Sequence, residues 1–167
     1  RQIKKASDKD SANFKKILFE GYAPHGIALM VETATDNNNR TVANIRSYFN
    51  KANGNLGTAG SVEFIFHHSC NFRINASDHN PDEIELEFID FGVEEVFIDD
   101  DGILLYASFE YFGKVQQELE NRNFEILSSG FDRIPQTTKV LSSKDQEDVL
   151  CLIERIEQDD DVQNVYH

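Results

Sequence analysis

At 167 residues the chain is long enough for one domain of ordinary size or two small ones, and its 40% apolar residues suffice for real cores. No apolar run approaches the roughly 20 residues that a transmembrane helix needs, and the charged N-terminus lacks the apolar core of a secretion signal. We therefore expect a cytoplasmic protein in which the distant Cys70 and Cys151 are free thiols.

The net charge of −14 is distributed unevenly along the chain. Residues 1–66 carry nine Lys/Arg and six Asp/Glu, residues 67–134 carry four against 16, and residues 135–167 carry three against eight. A segment as acidic as residues 67–134 repels phosphate backbones. Contact with DNA or RNA is therefore expected from residues 1–66 or from material upstream of them, and the acidic segment is a candidate surface for a protein partner.

The first segments of the chain alternate between helix and strand patterns. Arg1–Ala6 reads as the last turn of a helix that begins upstream. Residues 13–23 and 26–35 predict two β-strands, which are separated by a turn at Pro24-His25-Gly26.

A run of three asparagines precedes the next helix, in which Val42, Ile45 and Phe49 recur at spacings of three and four from Thr41 onward. An asparagine in this position can accept hydrogen bonds from the first free N–H groups of a helix, so the run is first of all a capping turn. A second interpretation stays open, in which the solvent face of this helix contacts phosphate or RNA. The candidate residues for that contact are Asn37, Asn38, Asn39, Arg40, Asn44, Arg46 and Lys51.

A loop with three glycines, residues 53–61, follows this helix and leads into a predicted strand over residues 61–68. Glycines that cradle a phosphate usually lie between a strand and the N-terminus of a helix, which is the opposite order. The loop therefore does not predict a nucleotide site.

Residues 70–134 predict one complete βαββαβ unit of the ferredoxin-like kind. Residues 81–92 of this unit fit two patterns. Ile84, Phe88 and Phe91 have helical spacing, although the alternation of acidic and apolar residues also fits a strand. We assign it as a helix. The other predicted elements are strands over 70–74, 93–100, 102–108 and 124–134, and a helix over 110–122.

The flanking segments predict a second unit of the same kind. Residues 26–67 supply a strand, a helix and a strand, and the chain after residue 136 supplies a strand over 137–142, a helix over 144–158 and a strand over 162–167. The sequence thus predicts an α+β fold of two ferredoxin-like domains. The predicted domains are residues 14–68 with 135–167, and an inserted acidic domain of residues 69–134.

The sequence contains no recognisable catalytic motif. His67, His68 and Cys70 could be metal ligands, but neighbouring strand residues point to opposite faces and no fourth ligand follows at a usual spacing. The acidic runs at 99–101 and 159–161 lack the spacing of a calcium loop. Without a GxSxG motif, a P-loop or a histidine base assignable to either cysteine, we expect no metal, no cofactor and no enzymatic activity.

The chain resembles the YebC/PmpR family over almost its whole length, in the strings FEGYAPHGIALMVETATDNNNRTVANIRSYFNKANGNLGTAGSVEFIF, GILLYASFEYFGKVQQELE, RIPQTTKVLS and DDDVQNVYH. Members of this family have an N-terminal three-helix domain followed by two α+β domains. The resemblance implies that this chain corresponds to the last two, with residues 1–13 as the remnant of the helical domain and its linker. The turn at His25 departs from the family, in which a glycine-rich version is commoner.

The resemblance also implies a non-enzymatic regulator of gene expression. Bacterial relatives are described as transcriptional regulators that bind DNA, the mitochondrial relative as a translational activator of a cytochrome oxidase subunit, and other bacterial relatives as associated with ribosomes and with relief of stalling. We expect a DNA-binding transcriptional regulator, with a ribosome-associated translation factor as the alternative. In both cases the family's basic N-terminal domain is expected to make the main contact with DNA, RNA or the ribosome.

Overall fold

The computed structural model describes residues 14–77 and 79–167, so the helical turn predicted at Arg1–Ala6 lies outside the described residues. Within them the chain forms eight strands and four α-helices. In chain order these are β1 (Lys15–Tyr22), β2 (Ala28–Thr35), α1 (Asn38–Lys51), β3 (Asn55–Leu56), β4 (Phe66–Ile74), α2 (Pro81–Phe88), β5 (Val93–Asp99), β6 (Gly102–Ser108), α3 (Phe112–Asn121), β7 (Ile126–Pro135), α4 (Ser143–Glu157) and β8 (Val162–Tyr166).

The chain divides into two compact units, and one is inserted into the other. The first unit contains the described residues up to Phe66 together with Pro135–His167, and the second contains His67–Ile134. Each unit has a four-stranded sheet and its own apolar core. The predicted α+β class with two nested domains is confirmed.

The first unit is built on an antiparallel sheet with the strand order β3-β1-β2-β8. Alternate residues of β1 and β2 face a core that α1 and α4 complete from one side of the sheet. The largest contributions come from Phe19, Leu29 and Val31 of the sheet, from Ile45 and Phe49 of α1, and from Leu152, Ile153 and Ile156 of α4. This core places α1 beside α4, which positions the candidate site described below.

The glycine-containing loop covers part of the opposite face of this sheet, where Val62 and Phe66 pack against Met30. The carboxylate of Glu20, only 4% exposed, accepts hydrogen bonds from the N–H groups of Gly60 (2.7 Å) and Val62 (3.1 Å). Because this carboxylate occupies two backbone donors of the loop, they are unavailable to a strand ladder or to a phosphate.

One strand predicted for the first unit begins five residues later than predicted, and another is absent. Residues 61–65 form turns, including a short 3₁₀ helix at Glu63–Ile65, and the strand that begins at Phe66 runs on to Ile74. Residues 137–142 form no strand, because β1 occupies the place beside β2 that this third strand of a βαββαβ unit would fill. The unit therefore has the order ββαβ…αβ, with β1 in an interior position that the predicted βαββαβ order omitted.

The second unit has the predicted order βαββαβ, and its strand order β5-β6-β4-β7 is that of a ferredoxin-like sheet. Helices α2 and α3 bury Phe88 and Leu119 against Phe72 and Leu105 of the sheet. The segment that also fitted a strand is helical, since Asn80 caps α2 by accepting from the N–H of Asp82 (2.9 Å). A 3₁₀ turn at Ile89–Phe91 follows it.

Candidate nucleic-acid interface

The asparagine run forms the start of α1. The helix begins at Asn38, three residues before the predicted Thr41, and the Asn37 side chain accepts a hydrogen bond from the N–H of Arg40 (3.1 Å). The hydroxyl of Thr35 in turn accepts from the N–H of Asn37 (3.0 Å). The predicted asparagine cap is confirmed, and Asn37 is the capping residue. Asn38 and Asn39 lie in the first turn with exposed side chains.

Arg40 is held by the turn before β8. Its guanidinium lies 3.0 Å from Oδ1 of Asp161 and 3.2 Å from Oδ1 of Asp36, and Thr41 donates its hydroxyl hydrogen to Oδ2 of Asp161 (2.9 Å). The hydrogen bond to Asp161 raises the pKa of Arg40. Because the Asp161 side chain is only 6% exposed, this contact anchors the start of α1 to a residue 121 positions away.

A second contact joins the same turn to the middle of α1. The hydroxyl of Tyr48 donates to Oδ2 of Asp159 (2.7 Å), and Oδ1 of Asp159 accepts from the N–H of Asp161 (2.9 Å). Burial of the phenol and then this hydrogen bond raise the pKa of Tyr48 to about 12. The acidic run at 159–161 thus acts as a connector between β8 and α1.

The remaining predicted residues have different surroundings. Asn44 is half-buried, whereas Arg46 and Lys51 are exposed and form no ion pair with any other described residue. Lys51 lines a cavity of about 490 Å³ between α1 and α4, together with Tyr48, Asn53 and Arg155. Arg46 is not among the lining residues. The structure therefore brings one predicted cation, Lys51, together with Arg155, which is not among the predicted residues.

The cavity between α1 and α4 has groups that can bind a phosphate. A guanidinium offers several N–H donors in a plane, which suits two oxygens of one phosphate, and an ammonium adds a mobile charge. The amide of Asn53 adds two N–H donors to the lining, whereas the hydroxyl hydrogen of Tyr48 is already donated to Asp159. Asp148 also lines the cavity and reduces the positive potential there. No sequence signal identifies Arg155, because it is one of two basic residues, with Lys144, on a helix that carries five acidic ones.

The histidine and cysteine candidates of the second unit do not converge on one point. His67 Nε2 lies 3.1 Å from Oε1 of Glu94, and the His68 ring stacks on Phe109 at 4.0 Å. Cys70 is buried, which raises the pKa of its thiol, and Sγ donates to the carbonyl of Ser108 (3.5 Å).

The acidic run at 99–101 forms the tight turn between β5 and β6. Asp99 accepts from Arg73 (2.6 Å), a hydrogen bond that lowers the pKa of this carboxyl, and also from the N–H of Asp101 (2.8 Å). Gly102 follows with φ of 133°, which favours glycine. Oδ1 of Asp99 is thus engaged in closing the hairpin.

Comparison with known proteins gives consistent results. A family model described as the TACO1/YebC second and third domain matches residues 14–167. Similar proteins include probable transcriptional regulatory proteins of Flavobacterium psychrophilum and Porphyromonas gingivalis, which are 69% and 51% identical over the whole of this chain. The chain covers 71% and 69% of these two relatives.

A solved structure also matches. The crystal structure of a conserved hypothetical protein from Aquifex aeolicus superimposes on 91% of this chain with a TM-score of 0.69 and 31% sequence identity. The chain spans 63% of that protein, which is less than two thirds of its length. None of the α-helices in the described part of the chain has the length and apolar character that a membrane span requires.

Proposed function

Because the chain belongs to the TACO1/YebC family, we propose that it is the partner-binding part of a cytoplasmic, non-enzymatic regulator of gene expression that binds DNA. The family match and the relatives named as probable transcriptional regulatory proteins support a regulatory role. Since the family model covers a second and a third domain, the proposal assigns the main DNA contact to the first.

The observation that supports a contribution from this chain is a small group of cations on α1 and α4. Lys51 and Arg155 line one cavity, and Arg46 is exposed on the same helix as Lys51. In the proposed interface these three cations bind backbone phosphates, while the amides of Asn38, Asn39 and Asn44 add hydrogen bonds. Asn37 and Arg40 have a different role, since their contacts stabilise the start of α1.

The proposal is tested with the chain joined to the first domain of the Flavobacterium psychrophilum relative. DNA and RNA affinities would be measured at several salt concentrations for the parent, for the variant R46Q/K51Q/R155Q, and for the control K15Q/K16Q/K144Q, which removes three exposed lysines outside the cavity. Each lost phosphate contact should reduce the slope of log affinity against log salt by about one unit. A variant that matches the control in affinity and slope would exclude the α1–α4 surface.

A ribosome-associated role in translation is the alternative, and the second unit favours it. Its net charge of −12 suits a basic protein partner better than a nucleic acid. On α2 and the turn after it, Leu86 and Ile89 are 74% and 61% exposed beside several carboxylates. An apolar pair inside an acidic surface is suited to a basic protein segment that carries apolar side chains.

The alternative predicts co-sedimentation with ribosomes that depends on the second unit. The change L86S/I89S should weaken ribosome binding, whereas R46Q/K51Q/R155Q should leave most of it. If only the triple cation variant loses ribosome binding, the contact is made through RNA and the first unit.

A further inference from the structure

The turn between β1 and β2 brings an imidazole against the first turns of α4. Nε2 of His25 lies 2.9 Å from Oδ2 of Asp148 and 3.4 Å from Oδ1 of Asp145. One potential ligand atom from each of the three side chains lies within 4.8 Å of the other two. The side chains are 31%, 48% and 38% exposed, so a solvent ion can reach all three.

The backbone holds His25 in this position. His25 has φ of 68°, in the left-handed region, between Pro24 and Gly26. Its carbonyl accepts a hydrogen bond from Nζ of Lys139 (2.8 Å). Asp145 and Asp148 are three residues apart on a helix, a spacing that places both carboxylates on one face.

We propose that His25, Asp145 and Asp148 form a binding site for a divalent transition-metal ion, for which Zn²⁺ is the best fit. Zinc–nitrogen and zinc–oxygen bonds of about 2.0–2.2 Å in tetrahedral geometry place neighbouring ligand atoms about 3.3–3.6 Å apart. The two distances from Nε2, 2.9 and 3.4 Å, lie close to this range. Small rotations of the two half-exposed carboxylates complete the geometry.

The donor set selects the class of metal. One imidazole nitrogen with two carboxylate oxygens is a combination used by zinc and related transition metals, whereas calcium takes six to eight oxygens. Three protein ligands leave a coordination position for water. His25 and Asp148 also line the cavity between α1 and α4, which gives that water access from solvent.

The charge balance at His25 also favours a cation. Nε2 carries at most one hydrogen, yet two carboxylates converge on it, and the ammonium of Lys139 is engaged by the carbonyl of the same turn. The other imidazole–carboxylate pair, His67 with Glu94, has a different set of neighbours. His67 faces one carboxylate, Glu94, and the hydroxyl of Ser108 (3.3 Å), which a single proton can satisfy.

Bound metal would connect the β1–β2 turn to α4 and so stabilise the first unit, independently of the function proposed above. The test is titration of the metal-free 167-residue chain with Zn²⁺, followed by calorimetry and by thermal unfolding. We expect one equivalent to bind and the unfolding temperature to rise with zinc concentration, because a ligand that binds only the folded state stabilises it. The changes H25Q and D145N/D148N should abolish both effects.

Two control variants locate the ion. H67Q removes a histidine that also pairs with a carboxylate, and C151S removes the exposed thiol that lines the same cavity as His25. Both should bind zinc like the parent. The proposal is overturned if the parent shows no saturable binding up to millimolar zinc, if H25Q binds as tightly as the parent, or if either control loses the site. Circular dichroism of each metal-free variant confirms that it is folded.

Discussion

At the scale of single residues, the carboxylate of Asp161 connects the turn before β8 to the start of α1. It is buried and accepts hydrogen bonds from a guanidinium and a hydroxyl at the start of α1. A buried carboxylate is stable only when its partners compensate for the lost water. Arg40 and Thr41 provide that compensation, so all three residues stabilise the fold.

The change D161N should therefore lower the free energy of unfolding by about 2 kcal/mol, since it weakens charge-assisted hydrogen bonds at a buried site. D36N is the matched control, because Asp36 pairs with the same arginine but its side chain is 59% exposed. It should change stability by less than about 0.5 kcal/mol. Urea denaturation of the three proteins gives the comparison. Equal losses would contradict the structural role of Asp161.

Tyr48 makes the stability of the folded protein depend on pH. Its pKa is about 12 in the folded protein, against an ordinary value of 10.0, so the unfolded chain loses the phenolic proton first. The contribution of Tyr48 to stability is therefore complete below pH 10 and decreases as the pH rises from 10 towards 12. Urea midpoints measured across this range should fall more steeply for the parent than for Y48F. Parallel curves would show that the phenol is not held in its neutral form.

At the scale of elements, local chemistry predicted α1 and its asparagine cap, because both depend on residues that are close in sequence. The loop at residues 57–65 shows the limit of such prediction. Residues 61–65 were predicted as the start of a strand, but Glu20, about 40 residues earlier, accepts hydrogen bonds from the N–H groups of Gly60 and Val62. No pattern within the loop sequence predicts that Glu20 is its partner.

The candidate interface also shows the limit of prediction from residues that are close in sequence. Lys51 was predicted from the exposed face of α1, whereas Arg155 joins it only because the shared core places α1 beside α4. Arg40 belongs to the predicted face, and only the folded chain brings Asp161 to its guanidinium. Long-range pairing therefore decides which residues of an exposed helical face are available to a partner.

The contribution of the Glu20 carboxylate to the stability of this loop can be tested by substitution. E20A should lower the free energy of unfolding by about 2–3 kcal/mol, because the N–H groups of Gly60 and Val62 lose their acceptor. E20Q should have a smaller effect, since the amide oxygen can still accept one of these bonds. Chemical denaturation of both variants measures the difference. An E20A protein as stable as the parent would mean that water replaces the carboxylate.

At the scale of the whole molecule, the chain leaves the first unit and returns to it at two points that lie close together. The N–H of Gln136 donates to the carbonyl of Ile65 (2.8 Å), and both residues belong to the first unit. Replacing residues 67–134 by a short linker should therefore leave a first unit that unfolds cooperatively, because insertions are tolerated where chain ends meet. Thermal unfolding followed by circular dichroism is the measurement. A broad, non-cooperative transition would show that the first unit depends on the inserted one.

The inserted arrangement also sets an order of assembly during synthesis. All strands and helices of the second unit have left the ribosome once Pro135 has emerged, whereas the first unit still lacks α4 and β8. Until then one side of β2 has no neighbouring strand, and Phe19, Leu29 and Ile45 lack the apolar side chains of α4. The first unit begins earlier in the chain but completes its folding later, because the final 33 residues, 135–167, are needed for its core. Until these residues emerge, the free edge of β2 presents unpaired N–H and C=O groups, with which a strand of another chain can pair.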